Sequence, residues 1–421
     1  MQSYPLHSLF KGSWFKLICG ASYQHLQCVR SLALAYSLAG ADCIDVAADT
    51  AVITAAREGI RVAQELFEQS ELSIAYKNHA HQIPSVTNNR TIGKEIHSPL
   101  LMVSINDGED PHFRKAEFNP AQCPSDCPQP CIRVCPADAI EPNLVGVIND
   151  LCYGCGRCLP ICPEELIVTR SHVSSPSAVV SLIQSMDVDA VEIHTQVGHY
   201  EDFKRVWSVI YPVVHKLKLL AISCTDGENV INYLRSLYQL ITPLPCPLIW
   251  QTDGRSMSGD IGKGTTHAAI SFADKVLQAD LPGYIQLAGG TNDHTVEKLK
   301  QLQMLRQPNK KAKSVSGVAY GSYARAILSP VLDQLETTEL QIQPNLLNSQ
   351  PMNELNQRLK ITPSFHESTL PGVSPGVCVG HGKVPVGRQI ISDLKLEQDR
   401  DLLQQAVSIA SQLVNQIKRD A

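Results

Sequence analysis

Eight of the chain's 14 cysteines fall between residues 123 and 162, in two runs that each end in Cys-Pro. The first run is Cys123-x3-Cys127-x3-Cys131-x3-Cys135-Pro136 and the second is Cys152-x2-Cys155-x2-Cys158-x3-Cys162-Pro163. The second has the spacing of bacterial two-cluster ferredoxins. There, three thiolates on one curled loop bind three irons of a cubane, and the fourth, set apart by x3 and followed by Pro, ligates the neighbouring cluster. Applied here, that crossing rule predicts one cluster on Cys152, Cys155, Cys158 and Cys135. It predicts a second on Cys123, Cys127, Cys131 and Cys162. In the first run x3 replaces x2 at both early gaps. A stretched loop can misplace a thiolate, so the expectation is a [4Fe-4S] cluster at the first site and a more labile [4Fe-4S] or [3Fe-4S] cluster at the second. Zinc and disulfides are the competing readings. Zinc sites usually pair two CxxC knuckles, which two Cys-Pro endings suit poorly. Disulfides need an exported protein.

The start of the chain argues against export. Residues 1–16 lack a basic stretch followed by a long apolar one, and no apolar run approaches the roughly 20 residues of a membrane span. A reducing cytoplasm is therefore expected, with thiols serving as metal ligands or standing free. The 421 residues carry a net charge of −5 with 43% hydrophobic content. That suits a sizeable globular core, and without a Lys/Arg block it offers no nucleic-acid footprint.

Outside the cysteines, short apolar β-branched runs alternate with amphipathic stretches. The runs at 14–20, 43–49, 100–106, 190–196, 217–225, 247–253, 283–290 and 315–320 read as buried parallel strands. Helical periodicity appears at Leu26, Val29, Ala33 and Tyr36, and again over 203–217, 230–240, 265–278 and 295–305. Eight β–α units predict a (β/α)8 barrel, with an open doubly wound sheet as the alternative. The expected organisation is barrel strands one to three over 12–118, a ferredoxin-like insertion over 119–169 and the remaining strands over 170–340. An irregular linker over 341–395 and an amphipathic helix over 396–421 would complete the chain. The insertion would then interrupt the third βα connection and hang over the C-terminal face, where barrels build active sites.

The barrel mouth carries a second signal. Strand seven ends in Ala288-Gly289-Gly290-Thr291-Asn292 and strand eight in Tyr320-Gly321-Ser322-Tyr323-Ala324-Arg325. Phosphate sites in barrels form from these two loops, so Gly289, Gly290, Gly321 and Ser322 are a candidate site for FMN or another phosphate. Bare βα turns are the plainer reading of the same glycines. Cys19, Asp49, Asn106, His194, Cys224, Gln251 and Asp253 stand at strand ends and are candidates to face the mouth. No acid–base or nucleophile pair is readable among them, and His194 reads as a satisfied histidine near the core. Cys19, Cys28, Cys43 and Cys224 lie on strands and helices and read as buried thiols. Cys378, near His381 in a Pro- and Gly-rich stretch, reads as an inert loop thiol. Leu403, Val407, Ala410, Leu413, Val414 and Ile417 form the apolar stripe of the last helix.

Several stretches together carry a resemblance to the cyanobacterial light-dependent period protein family, LdpA. They are Gly12-Ser13-Trp14-Phe15-Lys16-Leu17-Ile18-Cys19-Gly20-Ala21-Ser22, Ala39-Gly40-Ala41-Asp42-Cys43-Ile44-Asp45-Val46-Ala47-Ala48-Asp49, the double cysteine block, and Gln251-Thr252-Asp253-Gly254-Arg255. The resemblance covers about residues 12–336. It implies an iron–sulfur protein that reports light-dependent redox state to the circadian clock through contacts with clock input and oscillator proteins. Electron donors or the quinone pool would set its state. The alternative expectation is an oxidoreductase in which the clusters feed a flavin or phosphorylated ligand at the barrel mouth.

Overall fold

The structure, a computed structural model, describes residues 4–19, 26–79, 97–108, 114–135, 138–142, 145–149, 151–152, 158–171, 176–254, 266–306, 313–347 and 395–418. The chain forms two compact units, Met1–Leu332 with Lys395–Ala421, and Asp333–Leu394. Most of the second unit, including the expected linker with Cys378 and His381, lies outside the described residues.

In chain order the strands are β1 (Trp14–Ile18), β2 (Cys43–Ala47) and β3 (Leu100–Asn106), then four short ones, β4 (Arg114–Glu117), β5 (Ile140–Glu141), β6 (Gly146–Val147) and β7 (Val168–Ser171). After them come β8 (Ala190–Thr195), β9 (Leu219–Thr225), β10 (Leu248–Asp253), β11 (Tyr284–Ala288) and β12 (Val315–Tyr320). The helices are α1 (Tyr4–Lys11), α2 (Leu26–Leu38), α3 (Thr50–His79), α4 (Pro130–Val134), α5 (Pro176–Ser185), α6 (Tyr200–Ile210), α7 (Val230–Ile241), α8 (Thr266–Gln278), α9 (Thr295–Gln301), α10 (Ser322–Leu347) and α11 (Arg400–Lys418).

β1, β12, β11, β10, β9, β8, β3 and β2 close into a barrel in that order, and all its pairings are parallel. Because β1 pairs with both β2 and β12, the sheet has no free edge, which excludes the open doubly wound alternative. All eight expected strand runs contain a barrel strand. Two of the expected helical stretches end early, at Ile210 and Gln301. The stretch from 203 stops being α-helical at Ile210, because Pro212 cannot donate to the ladder, and continues as a 3₁₀ turn over Tyr211–Lys216. α1, α3, α4 and α5 had no sequence expectation.

α1 matters most among these. Its Leu6 and Leu9 pack on Trp14, Cys43, Leu100, Met102, Ala190, Leu219, Ala221 and Ile249, which line the barrel's N-terminal end. The helix is a hydrophobic plug on that end. Trp14 fills the lumen beside it, and Gly317 on β12 makes room. A Cβ there would stand 2.5 Å from the Trp14 carbonyl oxygen and 2.6 Å from its Cβ.

α11 docks on α2 and β1 through Leu402, Ala406, Ala410, Leu413, Val414 and Ile417. The stripe is rotated from the expected one, with Leu402 and Ala406 buried in place of Leu403 and Val407, which are half-buried. Polar clamps hold both ends. Lys418 donates to both Asp42 carboxylate oxygens at 2.6 Å, and the Arg30 guanidinium donates to Glu397 at 2.8 Å. No helix among the described residues is long and apolar enough to cross a membrane.

The Trp14–Gly317 contact gives a direct test. Gly317→Ala forces the two strands apart and should lower unfolding free energy by ~1–3 kcal/mol, the usual cost of overpacking, seen as a reduced melting temperature. An unchanged melting temperature would mean that β1 and β12 do not approach this closely.

Candidate metal centre and the barrel mouth

The connection from β3 to α5 leaves the C-terminal face of the barrel and carries both cysteine runs. β4 and β7, near its two ends, pair antiparallel, and β5 and β6 form a hairpin between them. Both runs pack into one small apolar core. Cys131, Cys152 and Cys158 are buried there with Ala116, Phe118, Ala139, Ile140 and Ile167, and Cys123, Cys135 and Cys162 are half-buried against it. Cys155 lies outside the described residues, so the expected set of Cys152, Cys155, Cys158 and Cys135 is seen only in part. None of the described cysteines forms a disulfide.

The x3-spaced set is seen whole. Burial, followed by the neighbouring thiols Cys127, Cys131 and Cys162, pushes Cys123 above the ordinary thiol range. Burial likewise raises Cys131, with Cys162 and Cys127 adding to it against opposing backbone N–H groups. Cys127, Cys131 and Cys162 thus lie near enough to Cys123 to act on its charge, but no three ligands among the described residues are drawn together closely enough to hold a metal ion. Backbone N–H groups point at sulfur, Gln129 to Cys127 at 3.4 Å and Ala139 to Cys135 at 3.3 Å. Thiols of both runs in one apolar core, with N–H donors to sulfur, suit an iron–sulfur cluster, whose potential such bonds tune.

An internal repeat underlies this core. Cys135-Pro-Ala-Asp138-Ala-Ile140 and Cys162-Pro-Glu-Glu165-Leu-Ile167 follow one pattern. Asp138 and Glu165 both take positive φ, 48° and 51°, and Ile140 and Ile167 are both buried in the shared core. The Cys-Pro endings pointed to this repeat, but its acidic turn residue and core isoleucine went unread.

One buried lysine ties the segment to the barrel. Lys115 on β4 donates to Asp49 Oδ2 at 2.6 Å and to the Asn149 carbonyl at 2.5 Å. Asp49 stands just past β2 and also caps α3, accepting from the Ala51 and Val52 N–H groups through Oδ1. Asn149 lies three residues before Cys152. Asp49 thus faces the mouth side as expected, engaged in holding the cysteine segment.

Of the other strand-end candidates, Asn106, His194, Gln251 and Asp253 fall on the lumen side of the strand alternation. Cys19 and Cys224 fall on the helix side, a correction to the expectation that they face the mouth. Burial pushes each thiol up to about 12. Gly289 and Gly290 have φ of 66° and 92°, and the polar groups after them are engaged within the loop. Thr291 donates to the Ala319 carbonyl, and the Asn292 N–H donates to Thr295 Oγ1. Beside Gly321 and Ser322, the Arg325 guanidinium donates to the Ile18 carbonyl at 2.9 Å and to Ser322 Oγ at 3.2 Å. No carboxylate pairs with it among the described residues, and burial lowers its pKa.

A closed (β/α)8 barrel whose third loop gathers two cysteine runs into one core defines a barrel-borne iron–sulfur protein. Comparison with known proteins narrows the class. The family description "LdpA Fe-S cluster-binding domain" matches residues 123–173, and "Light dependent period A C-terminal domain" matches residues 182–416. A protein named Light dependent period A from Synechococcus elongatus is 46% identical over 349 residues, spanning 82% of this chain and 90% of that protein. No solved structure matches the chain. The chain belongs to the light dependent period A (LdpA) family. The family's C-terminal domain contains β8 to β12 only, so its barrel closes through β1 to β3 from the other end of the chain.

The Lys115 joint is testable by a double-mutant cycle. Lys115→Met strands the buried Asp49 carboxylate and should cost ~3–5 kcal/mol of stability. Adding Asp49→Asn removes the stranded charge and should recover part of that loss. Additive losses in chemical denaturation would show that the two groups do not interact.

Proposed function

We propose that this chain is an iron–sulfur redox sensor conveying light-dependent redox state to the circadian clock through protein contacts. The packing of both cysteine runs into one apolar core carries the reading, and by the crossing rule of two-cluster ferredoxins Cys123, Cys127, Cys131 and Cys162 would hold one cluster. Cys152, Cys155, Cys158 and Cys135 would hold the second cluster by the same rule. The clusters would supply one-electron oxidation and reduction. The chain's own part is to shield them in an apolar shell and to join them to the barrel through Lys115. The relative's name supports a role in light-dependent timing, and clock input and oscillator proteins are the partners that the family resemblance implies.

The ligand map makes a sharp prediction for anaerobically purified protein. Cys162→Ser and Cys155→Ser should each remove roughly half of the iron and sulfide, the share of one cluster in two. Each should also delete a different component of the EPR spectrum. A three-iron cluster on the x3-spaced set would show in the oxidised protein, and a four-iron cluster in the dithionite-reduced one. Full iron content and unchanged spectra in either variant would overturn the map.

The half-buried Arg325 favours a second reading, an oxidoreductase whose clusters serve a flavin or phosphorylated ligand. An Arg without a carboxylate, beside Gly321, Ser322 and the Gly289-Gly290 turn, suits a bound anion. Bound flavin would add resolved bands near about 370 and about 450 nm to the cluster absorbance, as in ordinary flavoproteins. Neither flavin bands nor a melting-temperature rise with FMN or phosphate would leave the sensor reading standing alone.

A further inference from the structure

The lumen of this barrel is not the apolar stack that a scaffold would need. Lys16 on β1, fully buried, reaches across the lumen to Glu192 Oε2 on β8 and lies 3.1 Å from Asp45 Oδ2 on β2. Ser104 donates to Asp45 at 2.6 Å, and Gln251 donates to Glu192 Oε1 at 2.7 Å. Gln286 donates to Gln251 at 2.5 Å, and Trp14 to Gln286 at 2.7 Å. Taking charges out of water costs several kcal/mol per ion, and apolar replacements are often as stable or more so. Barrels that need only a core fill these layers with Val, Ile and Leu. Neither cysteine run contributes to this cluster, so cluster binding does not explain it.

Above this polar floor the lumen opens. Along β1, β2, β3, β8, β9 and β10 the inward residue nearest the mouth is partly exposed: Ile18, Ala47, Asn106, His194, Thr225 and Asp253. Among the described residues no helix plugs this end as α1 plugs the other. Within the ring His194 Nε2 lies 3.2 Å from Glu192 Oε1, and Ser223 donates to Asp253 Oδ2. Three carboxyl groups, Asp45, Glu192 and Asp253, thus share one ammonium, Lys16, whose donors go to the first two. Among the described residues, His194 and then Lys16 are the basic groups that act on Asp253.

We propose that the upper lumen of the barrel binds a small molecule carrying a basic nitrogen, an amine or amidine, whose cation pairs with Asp253 beside His194. Lys16, Asp45, Glu192 and Gln251 are positioning residues that fix the floor. Burial raises Asp253 to about 6, with His194 opposing the shift and Glu192 adding to it. The other groups facing it are Ser223 on β9, Lys16 on β1 and Gln251 on its own strand, while Cys224 lies on the helix side of β9. Cys224, held up to about 12 by burial, stays a neutral thiol across the range that matters. A cation binds the ionised carboxylate, so binding strengthens as pH rises through the carboxyl's titration.

Isothermal titration of the cluster-loaded full chain with benzamidine and with ethylamine tests this, at about pH 5 and about pH 7.5, on either side of that titration. Affinity should be about tenfold higher at the upper pH, the ratio of ionised carboxyl for a group titrating near 6. His194→Gln should keep that pH dependence, and Asp253→Asn should abolish binding while its visible cluster absorbance persists. The proposal fails if neither probe binds, if affinity is equal at both pH values, or if Asp253→Asn binds as well as the wild type. It also fails if acetate and inorganic phosphate bind in place of the cations. Loss of the clusters, which would test the sensor reading, leaves this titration unaffected.

Discussion

The ammonium of Lys16 sets the terms for the rest of the barrel. Burial alone would pull it down, but Asp45 and Glu192 outweigh burial and hold it protonated. A charge in that position needs partners from across the lumen, and those partners need donors of their own. Ser104 meets the second oxygen of Asp45, and Gln251 meets that of Glu192. Through Gln286 and Trp14 the chain of bonds returns to β1. With Ser223 included, the network draws on every barrel strand except β12, where Gly317 and Ala319 leave room. A one-residue slip of any contributing strand would turn its polar group towards the helices. The network therefore fixes register as well as polarity, at the cost of stability that an apolar lumen would have given.

The two ends of the barrel then divide the work. At the N-terminal end, Trp14, Leu6 and Leu9 make a dry plug that needs no chemistry. At the C-terminal end the polar floor lies under an open ring, and the cysteine-bearing segment leaves from the same face between β3 and α5. Exposed strand-end positions and long βα loops gather on that face in barrels generally, so an electron-carrying loop and a ligand site have the same natural address. The division also explains why the family's C-terminal domain cannot be a closed barrel alone. Lys16, Asp45 and Ser104, half of the polar floor, come from β1 to β3.

Much of this was readable before the fold. The eight strands announced themselves as apolar runs between amphipathic stretches, and parallel pairing follows from that order. The cysteine spacing pointed to one small unit built from both runs, and the runs do pack into one core, although Cys155 falls outside the described residues. The lumen network was not readable. Lys16, Asp45 and Glu192 each interrupt an otherwise apolar strand by a single residue, which looks like ordinary alternation until closure brings the strands round. The signal was nonetheless present, because a lone charge inside a strand buried on both faces has no solvent side to point to. α1 was missed for a different reason. Eight residues hold too few turns to show a period, and its role depends on a lumen that only the closed sheet creates. Arg325 is of the same kind, being visible beside the Gly-Ser turn while its burial depends on the neighbouring strand end.

Lys115 is where the two chemistries meet, and its geometry limits how one can influence the other. Its ammonium touches the barrel at Asp49 and the cysteine segment at Asn149, both at hydrogen-bond distance. Asp49 in turn holds the first turn of α3. A change of charge near this ammonium would act through a medium with little water to screen it, since Lys115 and Asp49 are both buried. Any shift of Lys115 away from Asp49 would leave the carboxylate to the α3 N–H groups alone. That is a local, two-position contact of the kind from which switches are built.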